Sequence, residues 1–314
     1  MASTLNNSLG PSDQGYQVSG FELWQWRCQA CQQAIEAKVP IAEVDWLLQT
    51  LAGLDKLVIR LASFEDHPKI ELHLPLSSLT QLWQQRIKAR VPVQYLAGST
   101  SWRNFVLAVS PAVLIPRPET ESLVDLAIAA APQNDNPHIS LSHGHWAELG
   151  TGSGAIALGL ASAFPKALIH AVDCSADALK IAYHNAQHYN LEHQIQFYQG
   201  SWFRPLNQLK GQISGMVANP PYIPSQLLSE LQPEVSQHEP HIALDGGVDG
   251  LGCIRHLVTT APDYLCAGGL WLIELMAGQA AAVVDLLQNQ GSYRNIQIHA
   301  DLAGIDRFVM AYRC

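Results

Sequence analysis

The sequence predicts an α/β fold. A mostly parallel, seven-stranded sheet with its last strand antiparallel follows a small helical domain and a linking β-hairpin. Three observations predict it. From residue 145 onward, short apolar runs alternate with helical stretches, the pattern of a parallel sheet covered on both faces. The last two apolar runs are joined only by residues 300–306, too short for a crossover helix, so they should pair antiparallel. Before residue 91, by contrast, the apolar residues repeat at helical spacing.

Taken in order, residues 1–20 are rich in Ser, Asn, Gln and Gly and read as a mobile, disordered extension. Residues 21–91 read as the helical domain. Val44, Leu47, Leu48 and Leu51 fall at i, i+3, i+4 and i+7, as do Leu79, Leu82, Trp83 and Arg86. Pro40, Gly53 and Pro75 punctuate these helices. Arg86, Lys88 and Arg90 read as a solvated helix end, where cations suit the dipole. Cys28 and Cys31 form a C-x-x-C, but they lie inside a helical pattern with no further ligand pair nearby, so helix packing is expected.

Residues 92–142 form the hairpin and linker region. Pro92 breaks the helix, and residues 102–114 alternate as a hairpin does. Ile115-Pro116-Arg117-Pro118-Glu119-Thr120-Glu121 is a stiff, charged turn, with Thr120 or a nearby polar residue placed to cap a helix carrying Leu123, Val124, Leu126 and Ala127. A polar connector covers residues 132–142. His143 and His145 have ligand-like spacing, but two histidines alone in a loop do not make a metal site, and no metal is expected. Residues 143–314 carry the sheet, with strands over 145–149, 167–172, 195–198, 213–218, 270–275, 296–299 and 307–312. Helices cover 155–163 and 176–188.

Composition narrows the class. Of 314 residues, 48% are hydrophobic and 14% charged, which suits a well-buried core. The net charge of −9 gives no support to broad electrostatic binding of nucleic acid. The first twenty residues lack the apolar stretch of a signal peptide, and no apolar run approaches the ~20 residues of a membrane span. A cytoplasmic monomer with no membrane contact is the expectation.

Two motifs carry the chemistry. Glu148-Leu149-Gly150-Thr151-Gly152-Ser153-Gly154 follows the first strand and opens a helix, where glycines let a ligand approach the backbone closely. Asp173 ends the second strand, placed to accept hydrogen bonds from both ribose hydroxyls of a nucleoside. This pattern also fits a dinucleotide fingerprint. Glu148 separates the two readings, because a carboxylate there repels a pyrophosphate and suits an amino-acid ammonium. Trp202 stands beside the expected base, either stacked on it or packed in the core. The second motif is Asn219-Pro220-Pro221-Tyr222 after the fourth strand. It forms a rigid, acceptor-rich corner able to grip a planar group bearing an –NH2.

With these residues together, the chain resembles the release-factor glutamine N5-methyltransferase family within the Rossmann-like, class I methyltransferases. The likeness runs from about Pro92 to the C-terminus and is looser in the helical domain. It rests on the 115–121 turn, residues 148–154, Asp173, residues 199–203 and Asn219-Pro220-Pro221-Tyr222, with weaker support from Glu239-Pro240 and residues 301–307. The resemblance implies S-adenosylmethionine held by Glu148, Gly150, Thr151, Gly152, Ser153, Gly154, Asp173, Trp202 and Asn219. It implies Asn219, Pro220, Pro221, Tyr222 and Arg117 around the glutamine of a Gly-Gly-Gln loop in a peptide chain release factor, with Asn219, Pro220 and Tyr222 catalytic. Residues 21–91 would recognise that substrate. Ser201 stands where relatives often carry Asp, and Leu275-Met276 where they often carry His-Gly. Two enzyme alternatives are an amino-methyltransferase acting on a nucleobase and a nicotinamide-dependent oxidoreductase. A binding module without catalysis is a third.

Overall fold

The computed structural model describes residues 15–131 and 140–314. The chain divides into two compact units, Met1–Ala97 and Gly98–Cys314. Unit 1 runs β1 (Tyr16–Val18), α1 (Gly20–Ala37), α2 (Ala42–Ala52), α3 (Lys56–Leu61), β2 (Ile70–Leu72), α4 (Leu76–Ala89) and α5 (Val93–Ala97). Two apolar faces read from the sequence, Val44, Leu47 and Leu48 of α2 and Leu79 and Trp83 of α4, meet in one core, which Leu23 and Trp26 of α1 also join. Cys28 and Cys31 are free thiols within α1.

Two expectations for this unit are corrected. Residues 1–14 lie outside the described residues, but the rest of the expected mobile extension is structured. β1 pairs antiparallel with β2, and Ser19 caps α1. The Glu22 N–H donates to the Ser19 hydroxyl at 3.2 Å, and the Ser19 N–H donates to the Glu22 carboxylate at 3.1 Å. Such a reciprocal cap contributes ~1 kcal/mol, so the polar composition read as disorder is partly helix-start chemistry. Nor is the end of α4 wholly solvated. Arg86 is buried and ion-paired with Glu43 of α2, and Arg90 donates to the Ala37 carbonyl at 2.8 Å at the end of α1.

Unit 2 begins with a hairpin, β3 (Ser99–Trp102) and β4 (Phe105–Ala108), followed by α6 (Glu121–Ala130). The hairpin is shorter and earlier than the alternation over 102–114 suggested. Pro111 and Pro116 remove ladder donors, so residues 109–118 continue as a loop. Then come β5 (His145–Leu149), α7 (Ala155–Ala163), β6 (Leu168–Asp173), α8 (Ala176–His188), β7 (Ile195–Gln199) and β8 (Ile213–Ala218). They are followed by α9 (Pro233–His238), α10 (Gly252–Thr260), β9 (Leu265–Glu274), α11 (Ala280–Gln290), β10 (Tyr293–Ala300) and β11 (Asp306–Arg313). Most of the connector expected over 132–142 lies outside the described residues.

The seven strands lie in the order β10-β11-β9-β8-β5-β6-β7. β11 runs antiparallel to both neighbours, while the β7, β6, β5, β8 and β9 pairings are parallel. One face packs Trp146, Ile156, Leu158 and Val124, and the other Ile254, Leu257, Val283 and Trp271. Strand order reverses between β5 and β8, the place where open α/β sheets hold ligands at the carboxyl ends. Register aligns those ends: Leu149 is opposite Val172 on one side and Ala218 on the other. Gly150, Asp173 and Asn219 are the next residues on the three strands, so they emerge at one level. Among the described residues, no helix is long and apolar enough to cross a membrane, and no three His, Cys, Asp or Glu side chains cluster as metal ligands. His145 hydrogen-bonds His170 at 2.9 Å, and His143 bonds Ser140 and Ser142.

Candidate active site

A cavity of about 530 Å³ opens at this level, within the size range of ligand pockets. Its first wall is the turn after β5. Gly150 and Gly152 have φ of 84° and 54°, conformations that L side chains rarely adopt. A Cβ on Gly150 would stand 3.6 Å from the Trp202 ring, and one on Gly152 would project into open space. The Gly152 N–H donates to Asp173 Oδ2 at 2.8 Å and the Ser175 N–H to Asp173 Oδ1 at 2.9 Å. Asp173 is therefore fixed by backbone donors on each oxygen, with further lone pairs left for a ligand. Trp202 lines the cavity with its own backbone at φ 48°. Strain of that sort persists only where surrounding structure holds it.

Glu148 lines the same wall but is almost wholly buried, and Thr151 Oγ1 donates to its Oε2 at 2.6 Å. Burial pushes its pKa up to about 8, against the lowering effect of the Thr151 hydroxyl. This group is thus mostly protonated at neutral pH, rather than the standing negative charge that the sequence suggested. A cation brought beside it would restore the carboxylate.

Asn219 and Pro221 form the opposite wall. Asn219 Nδ2 donates to Thr120 Oγ1 at 3.2 Å. Thr120, expected as a helix cap, makes no cap bond; its own backbone is helical, so its hydroxyl serves the Asn219 amide instead. The Tyr222 hydroxyl donates to Glu274 Oε1 at 3.3 Å, and burial first, then Glu274, raises the phenol's pKa. Glu274 is itself buried, which lifts its pKa to about 7, with Thr120, Tyr222 and Arg307 drawing it back down.

Behind the corner, the Gln279 side chain donates to the Tyr222 carbonyl at 3.0 Å, and the Gly246 N–H donates to the Ile223 carbonyl at 2.9 Å. Gly250 has φ 76°, and a Cβ there would lie 2.3 Å from the Tyr222 carbonyl. The glycine loop after residue 244 thus backs directly onto the Asn-Pro-Pro-Tyr corner. Leu275-Met276 is part of the same support: Leu275 N–H reaches the Arg307 carbonyl and Met276 N–H the Gln279 side chain.

The structure gathers most of the residues singled out from sequence. Arg117, Glu148, Gly150, Thr151, Gly152, Ser153, Asp173, Trp202, Asn219 and Pro221 line the cavity, with Ser201 beside Trp202. Three do not. Gly154 caps α7 and packs against Ala182 of α8, Pro220 is buried and is not among the lining residues, and Tyr222 turns its hydroxyl to Glu274. Arg117 lines the cavity, but its guanidinium is bound to the buried Glu239 at 2.6 Å, and its carbonyl accepts the Trp102 indole N–H at 2.9 Å. It ties the 115–121 turn to the Pro240–Ala243 wall more directly than it offers a free charge. Sequence reasoning missed Glu274, Gln279, Gly246 and Gly250. The glycine-dense run after Asp245 was a visible signal, whereas nothing local marked Glu274.

Comparison with known proteins agrees with this geometry. The methyltransferase small domain family matches residues 135–232. A release factor glutamine methyltransferase of Synechocystis sp. is 51% identical over 94% of this chain and 97% of its own. Its counterpart in Thermosynechococcus vestitus is 48% identical over 92% and 96%. Among solved structures, the hMettl16 catalytic domain in complex with MAT2A 3'UTR hairpin 6 superposes with a TM-score of 0.52. It is 13% identical, covering 76% of this chain and 81% of that one, a likeness of fold alone. On the strength of its near-full-length relatives, this chain belongs to the release factor glutamine methyltransferase family.

Proposed function

We propose that the chain transfers a methyl group from S-adenosylmethionine to the side-chain amide nitrogen of the glutamine in the Gly-Gly-Gln motif of peptide chain release factors. The observation that carries this reading is the pairing of the two walls. A nucleoside-type wall, Gly150 to Ser153 with Asp173, faces an amide-type wall, Asn219 and Pro221, across one cavity. The printed names of the relatives supply the substrate class.

The residues present fit the cofactor. Asp173 offers free lone pairs for ribose hydroxyls, Trp202 a flat apolar face for the base, and Glu148 a carboxyl whose ionisation an ammonium would favour. When bound, S-adenosylmethionine supplies a methyl group on a positively charged sulfur. The chain's own part is to present the acceptor. An amide nitrogen is a poor nucleophile because its lone pair is shared with the carbonyl. Asn219 Oδ1, with Nδ2 held by Thr120, accepts one N–H of the substrate amide, and the stiff corner that continues into Pro221 fixes where the amide plane lies. Together they orient the nitrogen and stabilise the positive charge that develops on it. The proton leaves after transfer, when the methylated nitrogen has become acidic. Tyr222 braces the corner through Glu274.

The test is to incubate the protein with methyl-labelled S-adenosylmethionine and, in separate reactions, release factor, DNA and ribosomal RNA. Label on the release factor, lost when its Gly-Gly-Gln glutamine is replaced, supports the reading. Label on nucleic acid instead overturns it.

A further inference from the structure

An asparagine amide can present either its oxygen or its nitrogen to a cavity, and only the oxygen serves an acceptor –NH2. Thr120 by itself does not decide between them, because a hydroxyl both donates and accepts. The decision lies one step further back. Glu274 Oε2 is buried without a hydrogen-bond partner of its own, while Oε1 takes the Tyr222 hydroxyl. The Thr120 hydroxyl stands beside this carboxylate, close enough to draw its pKa down. An ionised carboxylate only accepts, and with lone pairs to spare it claims the rotatable Thr120 proton.

Resting on the function proposed above, we propose that Glu274 and Thr120 are positioning residues that set the polarity of the methyl-acceptor site. With its proton turned to Glu274, the Thr120 oxygen must accept from Asn219 Nδ2, at the observed 3.2 Å, and Asn219 Oδ1 is thereby turned toward the cavity. Tyr222, donating to the same carboxylate, is fixed by the same rule. Neither Glu274 nor Thr120 needs to touch the reacting atoms for this.

The device is sensitive to pH. Protonated Glu274 gains a donor, which frees the Thr120 proton to point at Asn219 and lets the amide turn over. The charged and titratable groups facing Glu274 are Tyr222 from the corner, Arg307 on β11 and Glu119 ahead of α6. Burial outweighs their combined effect and leaves the carboxyl poised at about 7. Acceptor presentation therefore weakens as pH falls through that value.

Two measurements test this. In the free full-length protein, NMR hydrogen exchange of the Asn219 side-chain amide, identified by its loss in Asn219→Asp, should show protection that fades below neutral pH. Glu274→Gln should abolish that pH dependence and speed exchange by about tenfold, the worth of one ordinary hydrogen bond. In methyl transfer to the release factor, Glu274→Gln and Thr120→Val should each lower kcat by about a hundredfold, the cost of a misplaced reacting group. KM for S-adenosylmethionine should stay within roughly threefold, as for an interaction outside ground-state cofactor binding. The double variant should be no worse than either single one, and Thr120→Ser should restore activity.

Unchanged Asn219 exchange in Glu274→Gln overturns the proposal, as does a Thr120→Ser enzyme as slow as Thr120→Val. A wild-type protein that shows the exchange behaviour but leaves the release factor unlabelled would instead refute the proposed function and leave the positioning role standing.

Discussion

The two walls of the cavity are built on different principles. The wall formed by Gly150, Gly152 and Asp173 is held by backbone: glycine turns, and the N–H groups of Ser175, 2 residues from Asp173, and of Gly152, 21 residues from it on the adjoining turn. The wall formed by Asn219 is held by side chains far off in sequence. Thr120 is 99 residues away from Asn219, Glu274 is 52 from Tyr222, and Gln279 is 57 from Tyr222. The first wall is rigid because each part is tied to its neighbour. The second depends on the sheet bringing remote elements to one level, so damage to it should change chemistry before it changes cofactor binding.

The sharpest way to break that contrast is Asn219→Ala. It removes the acceptor while leaving Gly150 to Ser153 and Asp173 intact. The methylation rate should fall by about 10²–10³-fold, the cost of losing one preorganised polar group at a reacting centre. Cofactor affinity, measured by calorimetry, should move little. A large loss of affinity with an unchanged rate at saturation would assign Asn219 to the other wall.

The reverse effect is expected at Asp173. An Asn there keeps the shape but loses the charge and one acceptor, leaving the Gly152 and Ser175 N–H groups competing for a single oxygen. Hydrogen bonds to a charged group are worth ~1.5–3 kcal/mol, so S-adenosylmethionine affinity should drop by about 10–150-fold. The rate at saturating cofactor should stay near that of the wild type.

How much of this was legible in sequence follows the same division. Gly150, Gly152 and Asp173 could be placed because glycine turns and strand ends leave local signals, and their spacing alone put them on adjacent strands. The strand and helix series of unit 2 was legible for the same reason, each segment carrying its own apolar period. Asn219 was visible because two prolines follow it. Its support was not. Thr120 read as a helix cap because, within a short window, a Thr before an apolar helical run looks like one; its real partner lies a hundred residues on. Arg86 failed in the same way, read as solvated because Glu43 is too distant in sequence to be seen beside it. Arg117 was marked by its flanking prolines, but the buried Glu239 that occupies its charge was not.

A smaller effect should appear at Gly250, where remote support meets backbone geometry. Alanine there would have to adopt φ 76° and bring its Cβ to 2.3 Å from the Tyr222 carbonyl. The left-handed strain alone costs ~1–2 kcal/mol, and relief of the clash must shift residue 222 and the corner with it. A lower Tm and a rate reduced by about tenfold, with cofactor affinity preserved, are the expected signs of a displaced acceptor wall. Equal losses of rate and affinity would show that the two walls move as one.

The smallest effect concerns Glu148, a buried titratable group in the backbone-built wall. Glu148 has an ordinary pKa of 4.5 and is raised to about 8 in the folded chain, chiefly by burial. Between those values the folded protein holds a proton that the unfolded chain has lost, so this group lowers stability progressively as pH climbs through that window. An ammonium bound beside Glu148 acts in the opposite sense. It favours the carboxylate, so cofactor binding at neutral pH should release a proton, and affinity should rise with pH up to about 8. With a single proton involved, the gain is at most about tenfold per pH unit. Calorimetry in two buffers of different ionisation enthalpy reads that proton directly, and Glu148→Gln should abolish it. If the wild-type protein binds cofactor with no proton exchanged, Glu148 stays protonated and acts as a hydrogen-bond donor. The cofactor wall would then discriminate by shape and by Asp173 alone.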